Sequence, residues 1–315
     1  MRIAHHPEAA PGSRFLDPAV LARIGSLELL ARTVVEGFVA GLHRSPHLGL
    51  STDFAEHRAY MPGDDTRRID WKLYARTDRY YVKEFEAETN ASALFVLDVS
   101  PSMRFRSEGA ALSKLDYARF LVACLAHFGQ GQRDRVGVAT FDRAVIDYVP
   151  PSTRHLPHVL HTLERAEAAP AGENRSELVT LEAPMRQVAE HARRRGIVIV
   201  VSDLYDEPGA VSDAVSLLRA RGSDVSVFQV LDPAELDFPY DEAATFRDAE
   251  TGETLPVIPD KLAEKYRAAI AGHVAETARL LGESGVDHAL LRTDRPLDDA
   301  LFAYLANRQR LARVR

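Results

Sequence analysis

With 315 residues, 46% of them hydrophobic, and a formal charge of −7, the chain has material for a sizeable core and lacks the clustered basic surface that nucleic-acid phosphates demand. Its longest apolar runs, such as Ile197 to Val201, fall far short of the roughly 20 residues that cross a bilayer. The N-terminus carries no charged-then-apolar signal pattern, so the expected setting is cytoplasmic, with no membrane span.

The first 90 residues differ in kind from the rest. "LARIGSLELLARTVVEGFVAGL" has the apolar spacing of a helix, and the segment from Ser51 to Thr89 then mixes charges with aromatics at strand-like alternation, with Pro62 and Gly63 suited to a turn. Within it Trp71, the only tryptophan, stands close to Arg67, Arg68 and Arg76. A strand-and-turn unit with internal ion pairs accounts for this grouping. Trp and Arg are also favoured interface anchors, which makes Arg67, Arg68 and Trp71 candidate partner-binding residues. A boundary near Ala91 separates this extension, residues 1–90, from a second domain, residues 91–315.

From Ala93 the pattern alternates short β-type runs with longer helical ones. "ALFVLD" precedes a helix that starts at Ser113, whose "SKLD" has capping spacing. "RVGVATF" and "AVIDYV" are joined by two residues, which allows only an antiparallel hairpin. The helix between them and "ALFVLD" carries the only cysteine, Cys124, in "FLVACLAHF". It reads as a buried core thiol, and a single cysteine excludes an intrachain disulfide or a zinc ribbon. "GQGQR" at Gly129 to Arg133 reads as a helix stop. Helices near 154–168 and 178–195 lead to the fully apolar strand "GIVIVVSD". A helix near 209–221, the strand "DVSVFQVL", a helix near 260–283, the strand "VDHALLRT" and a helix from Pro296 follow. The interval 232–259 interrupts this rhythm as an inserted β-hairpin that turns at Thr251 and Gly252. Apolar strands separated by helices make the fold class α/β, with a mainly parallel, doubly wound sheet covered on both faces.

Two of the apolar strands end in carboxylates, at Asp98 and Asp203. In such sheets ligands bind at the carboxyl ends of strands where connections diverge, so neighbouring strands would bring these two groups together. Ser100 and Ser102, at alternate positions of an extended loop, point the same way as Asp98. A set of hard oxygen donors of this kind suits Mg²⁺ or Mn²⁺. The plainer reading is that Asp98 caps a turn and the serines cap the segment after it. A Mg²⁺-dependent phosphoryl-transfer or hydrolytic enzyme using Asp98 is the alternative function, but the familiar pattern for such a nucleophile has a second Asp where Ser100 stands. His155, His158 and His161, three residues apart at a helix start, read as solvated histidines.

"LDVSPSM", "KLDYA", "DRVGVATF" and "VVSD" together resemble a von Willebrand factor A domain with a metal-ion-dependent adhesion site. The preceding "GLSTDFAEHRAYMPGDDTRRIDWKLYARTDRYYVKEFEAET", with the later "FRDAETGETL" and the closing "LFAYLANR", resembles the bacterial family known as domain of unknown function 58. Many of its members carry N-terminal membrane helices; this sequence resembles the short soluble form. The resemblance implies that Asp98, Ser100 and Ser102 form the first metal motif and Asp203 the third. In the second motif, "NRSEL" puts Ser176 where a Thr is usual, which keeps the hydroxyl and loses the methyl that steadies its rotamer. Leu204 also departs from the pattern, standing where a Gly often follows the Asp. The implied function is non-enzymatic, Mg²⁺- or Mn²⁺-dependent protein binding, as an adaptor or co-chaperone of a MoxR-type AAA+ ATPase acting on a protein client.

Overall fold

A computed structural model of the chain describes residues 17–44, 57–60, 71–83, 91–168, 180–192, 195–297 and 300–301. Among the sequence expectations, Ser176, Arg67, Arg68, the Pro62–Gly63 turn and nearly all of the last helix lie outside the described residues.

Two helices come first. α1 (Pro18–Leu21) is capped by Asp17, whose side chain accepts the Ala19 N–H, and α2 (Leu27–Arg44) follows after a break at Gly25 and Ser26. β1 (His57–Ala59) and β2 (Tyr81–Lys83) pair antiparallel, with α3 (Trp71–Thr77) between them. The strand-like alternation read across this segment therefore holds at its ends and fails in its middle. Lys, Leu, Ala and Arg within "WKLYART" are strong helix formers, and they outweigh the alternation. Asp78, at φ +53°, ends the helix by donating its N–H to the Tyr74 carbonyl.

The main sheet is built from β3 (Ser92–Asp98), β4 (Arg135–Phe141), β5 (Val145–Ser152), β6 (Ile197–Ser202), β7 (Asp224–Leu231) and β10 (Asp287–Arg292). Their order is β10-β7-β6-β3-β4-β5, and only β5 runs antiparallel, as the two-residue connection requires. The covering helices are α4 (Lys114–Gly131), α5 (Leu156–Arg165), α6 (Glu182–His191), α7 (Pro208–Ala220) and α9 (Pro259–Glu283). Ser113 caps α4, accepting the Asp116 N–H, and the helix stops in the predicted glycine segment. Among the described residues no helix is long and apolar enough to cross a membrane.

Each apolar strand serves two cores through its two-residue period. Ala93, Phe95 and Leu97 of β3 face a cluster with α4 and α5, whereas Leu94 and Val96 face one with α6 and α7. Cys124 lies in the first cluster, where burial pushes its thiol pKa upward. Leu27, Leu30, Val34 and Phe38 of α2 join the same cluster. At about 1.5–3 kcal/mol for each large buried side chain, these contacts bind α2 firmly to α4.

The inserted hairpin is present as β8 (Ala244–Arg247) and β9 (Thr254–Val257), turning through Gly252 at φ +75°. The same interval also holds a short helix that the sequence reading missed, α8 (Pro233–Asp237). Its signal is a capping box: the Asp232 side chain accepts backbone N–H groups of the helix start, and Glu235 accepts the Asp232 N–H.

Gly196 sets the approach of β6 to β3, because a Cβ there would overlap the Ser92 carbonyl oxygen. Gly196→Ala must push the two strands apart where their pairing begins. A loss of about 1–3 kcal/mol is expected, read as a lower urea midpoint with an unchanged slope.

Candidate metal and partner site

The chain order reverses between β3 and β6: β3, β4 and β5 step one way across the sheet, and β6, β7 and β10 the other. Because β3 and β6 pair in parallel, with Leu97 opposite Val201, their carboxyl ends lie side by side. This is the crevice where open α/β sheets bind ligands. Asp98 ends β3 and Asp203 directly follows β6, so both expected carboxylates stand there, 5% and 3% exposed.

Past Asp98 the backbone turns back on the carboxylate. Oδ1 of Asp98 accepts the Ser100 N–H at 2.8 Å, and Oδ2 accepts the Ser202 hydroxyl at 2.5 Å. Ser100 then leads into a 3-10 turn, Pro101–Arg104, and its hydroxyl lies 3.0 Å from that of Ser102. The alternate spacing of the two serines does place both hydroxyls on one side.

A third charged group completes the cluster. Lys114, the first residue of α4, is fully buried, and its ammonium lies 2.7 Å from Asp203 Oδ2 and 2.6 Å from Glu235 Oε1. The other oxygen of Glu235 accepts the Asp232 N–H, so the capping box of α8 aims the carboxylate at Lys114. The Tyr205 ring lies 4.9 Å from the ammonium. Burial alone would lower the Lys114 pKa, but the charges of Asp203 and Glu235 outweigh it and raise the value.

The ammonium bonds to two carboxylates, Asp203 and Glu235, and Asp98 meets the charge of Asp203. Burial first, and then the charge of Asp203, push the Asp98 pKa up to about 7, against hydrogen bonds from Ser202 and Ser100 that lower it. The donors here are all hard oxygens. Among the described residues no three His, Cys, Asp or Glu side chains cluster as metal ligands, so hydroxyls and water would have to complete any shell around the two aspartates. Two carboxylates and two adjacent hydroxyls fit Mg²⁺ or Mn²⁺. Asp98, Ser100, Ser102 and Asp203 are the described residues that would hold it.

The loop after β6 is held in a costly conformation. Leu204, standing where the resembled pattern has Gly, adopts φ +54°. Its N–H bonds to Ser202 Oγ, and its carbonyl accepts from His273 Nε2 of α9 at 2.8 Å. A left-handed Leu costs about 1–2 kcal/mol. Burial of its side chain, 2% exposed, returns about 1.5–3 kcal/mol and explains why a bulky residue is tolerated. From the neighbouring strand β7, Gln229 donates to the Asp203 carbonyl and lies 3.0 Å from His288 of β10.

The structure thus brings four of the five expected metal-site residues together, and the fifth, Ser176, is not described. Trp71 is 59% exposed on α3, in edge contact with Tyr74. His155 precedes α5, its Nδ1 2.7 Å from the Pro150 carbonyl and its ring edge-on to His158. The sequence reading missed Lys114, Glu235, Ser202 and Glu250, the last of which accepts the Ser102 N–H at 2.9 Å. Lys114 did leave a trace: a lysine at a helix N-terminus opposes the helix dipole, which implies nearby acids. Replacing it with Met would strand two buried carboxylates, with an expected loss of about 3–5 kcal/mol. Urea unfolding would read this as a large fall in midpoint.

Residues 56–278 match the family described as "Protein of unknown function DUF58". An uncharacterized protein of Mycobacterium bovis is 30% identical over 308 residues, spanning 97% of this chain and 95% of its own. Among solved structures, the chain is similar to the conserved hypothetical protein BatB from Bacteroides thetaiotaomicron, at 18% identity and a TM-score of 0.47, covering 71% of this chain and 99% of that one. It is also similar to the VWA domain of SpRpn10, at 10% identity and a TM-score of 0.39, covering 67% and 94%.

Proposed function

Since the chain belongs to the DUF58 family, we propose that it is a protein-binding module that receives an acidic side chain of its partner at the β3–β6 strand ends with the help of Mg²⁺ or Mn²⁺. The observation that carries this reading is the undercompensated Asp98, placed beside Asp203 and the paired hydroxyls of Ser100 and Ser102. Asp98 and Asp203 would neutralise the divalent ion, and Ser100 and Ser102 would orient it through their hydroxyl oxygens. When bound, the ion supplies an electrostatic anchor for a carboxylate, and burial of the surrounding groups strengthens such a contact. Lys114 and the capping box of α8 keep Asp203 in place.

Binding fits these residues better than turnover. The familiar pattern for a phosphoryl-transfer Asp has a second Asp where Ser100 stands. The partner class follows from the family resemblance: a MoxR-type AAA+ ATPase, with this chain as adaptor or co-chaperone toward a protein client. Arg67, Arg68 and Trp71 are proposed as a second docking surface; Trp71, exposed on α3, is the described part of it.

Calorimetric titration with Mg²⁺ and Mn²⁺ is expected to give saturable heat for the wild type and none for Asp98→Ala. Equal heats from the two proteins would contradict the site. Capture of a MoxR-type ATPase by the wild type is expected to weaken with chelator and in Asp98→Ala. Capture that ignores both would place the interaction on another surface.

A further inference from the structure

We infer that Glu250, at the tip of the β8–β9 hairpin, is an internal ligand of this same site, held where a partner's acidic side chain would bind, so that the hairpin gates partner access. The inference rests on the carboxylate-receiving function proposed above.

Glu250 lies 148 residues from Ser102 in sequence, yet its Oε1 accepts the Ser102 N–H at 2.9 Å. That N–H belongs to the 3-10 turn whose serine hydroxyls face the site, so the carboxylate sits at the mouth of the crevice.

The tip is built to present this residue. Asp248 Oδ1 accepts the N–H groups of both Glu250 and Thr251, at 2.8 and 2.7 Å. The Gly252 N–H donates to the Asp248 carbonyl, and Thr251 Oγ1 accepts the Glu253 N–H. The N–H groups of four consecutive residues, Glu250 to Glu253, are thereby fixed, and Glu250 itself is half-buried.

The rest of the hairpin is held lightly. Its strands are four residues long and, among the described residues, pair only with each other, and most of their side chains are exposed. A two-stranded ribbon is marginal in water without packing. Here the packing is concentrated at the base, where Phe246 stacks on Phe238 at 5.7 Å and meets Tyr240 edge-on at 5.0 Å. An aromatic base with a rigid, polar tip can pivot without unfolding the domain.

Tethering sets the strength of the gate. A carboxylate on a short connection acts at an effective concentration on the order of millimolar. A partner offering a lone glutamate would be excluded. The partner must present its acidic residue on an ordered segment with further contacts, in the manner of the hairpin it displaces.

The probe for the test is a cyclised peptide with the sequence of residues 244–257, applied with Mg²⁺ to the full chain. Glu250→Ala is expected to bind it at least about tenfold more tightly than the wild type, Glu250→Gln to an intermediate degree, and a peptide lacking the glutamate not at all. The Ser102 amide is expected to exchange with solvent faster in Glu250→Ala, while amides of β6 keep the wild-type rate and report an intact fold. Unchanged Ser102 exchange, or equal affinity of wild type and Glu250→Ala, overturns the gate and leaves the carboxylate-binding function standing. Absence of binding by both proteins, with Ser102 exchange accelerated, overturns the gate together with that function.

Discussion

The buried ammonium of Lys114, held between Asp203 and Glu235, is the contact on which the strand-end architecture depends. It ties the start of α4 to the loop after β6 and to the cap of α8, three segments that meet in space only after the sheet has formed. A buried ion pair adds little net stability over an apolar packing of the same volume, because desolvation consumes most of the attraction. Here the ammonium is shared by two carboxylates, and a third, Asp98, is buried beside Asp203. A cluster kept at that cost is better understood as a site than as a device for stability. The locked, left-handed Leu204 beside it belongs to the same class of costly local feature.

Around this cluster the molecule divides into stiff and adjustable parts. β3 and β6 are buried on both faces and bonded to neighbours on both edges, so Asp98 and Asp203 have little freedom to separate. Ser202 and Ser100 bond to both oxygens of Asp98, and Gln229 and His273 hold the carbonyls of Asp203 and Leu204 just past the β6 end. Among the described residues, the β8–β9 hairpin meets this frame through an aromatic base and the Glu250 carboxylate at its tip. A rigid receptor edge with a light, displaceable cover is a physical arrangement suited to regulated binding.

Much of this was legible in the sequence because it is encoded locally. The apolar strands ending in Asp98 and Asp203, the capping Ser113 and the glycine that turns the hairpin each depend on neighbours a few residues away. The convergence of the two carboxylates was conditional on their strands being neighbours across the switch point, which the pairing of β3 with β6 supplies. What could not be read was the compensation. Lys114 meets partners 89 and 121 residues away, and Ser202 meets Asp98 across 104. No spacing rule connects residues so distant. The α3 helix was misread because charged and aromatic residues in alternation look like a strand, while the propensity of "WKLYART" favours a helix over seven residues. The α8 helix was overlooked although Asp232 and Glu235 carry a capping box, because a five-residue helix shows too little periodicity to stand out.

The central claim is that the ends of β3 and β6 form one oxygen-donor site for a divalent ion. Paramagnetic broadening of amide signals by substoichiometric Mn²⁺ tests it most directly, since the effect falls steeply with distance from the ion. The account predicts that the amides of 99–103 and 202–204 broaden first and together, and that excess Mg²⁺ restores them. Broadening spread over exposed acidic residues, with those two segments unaffected, would contradict it.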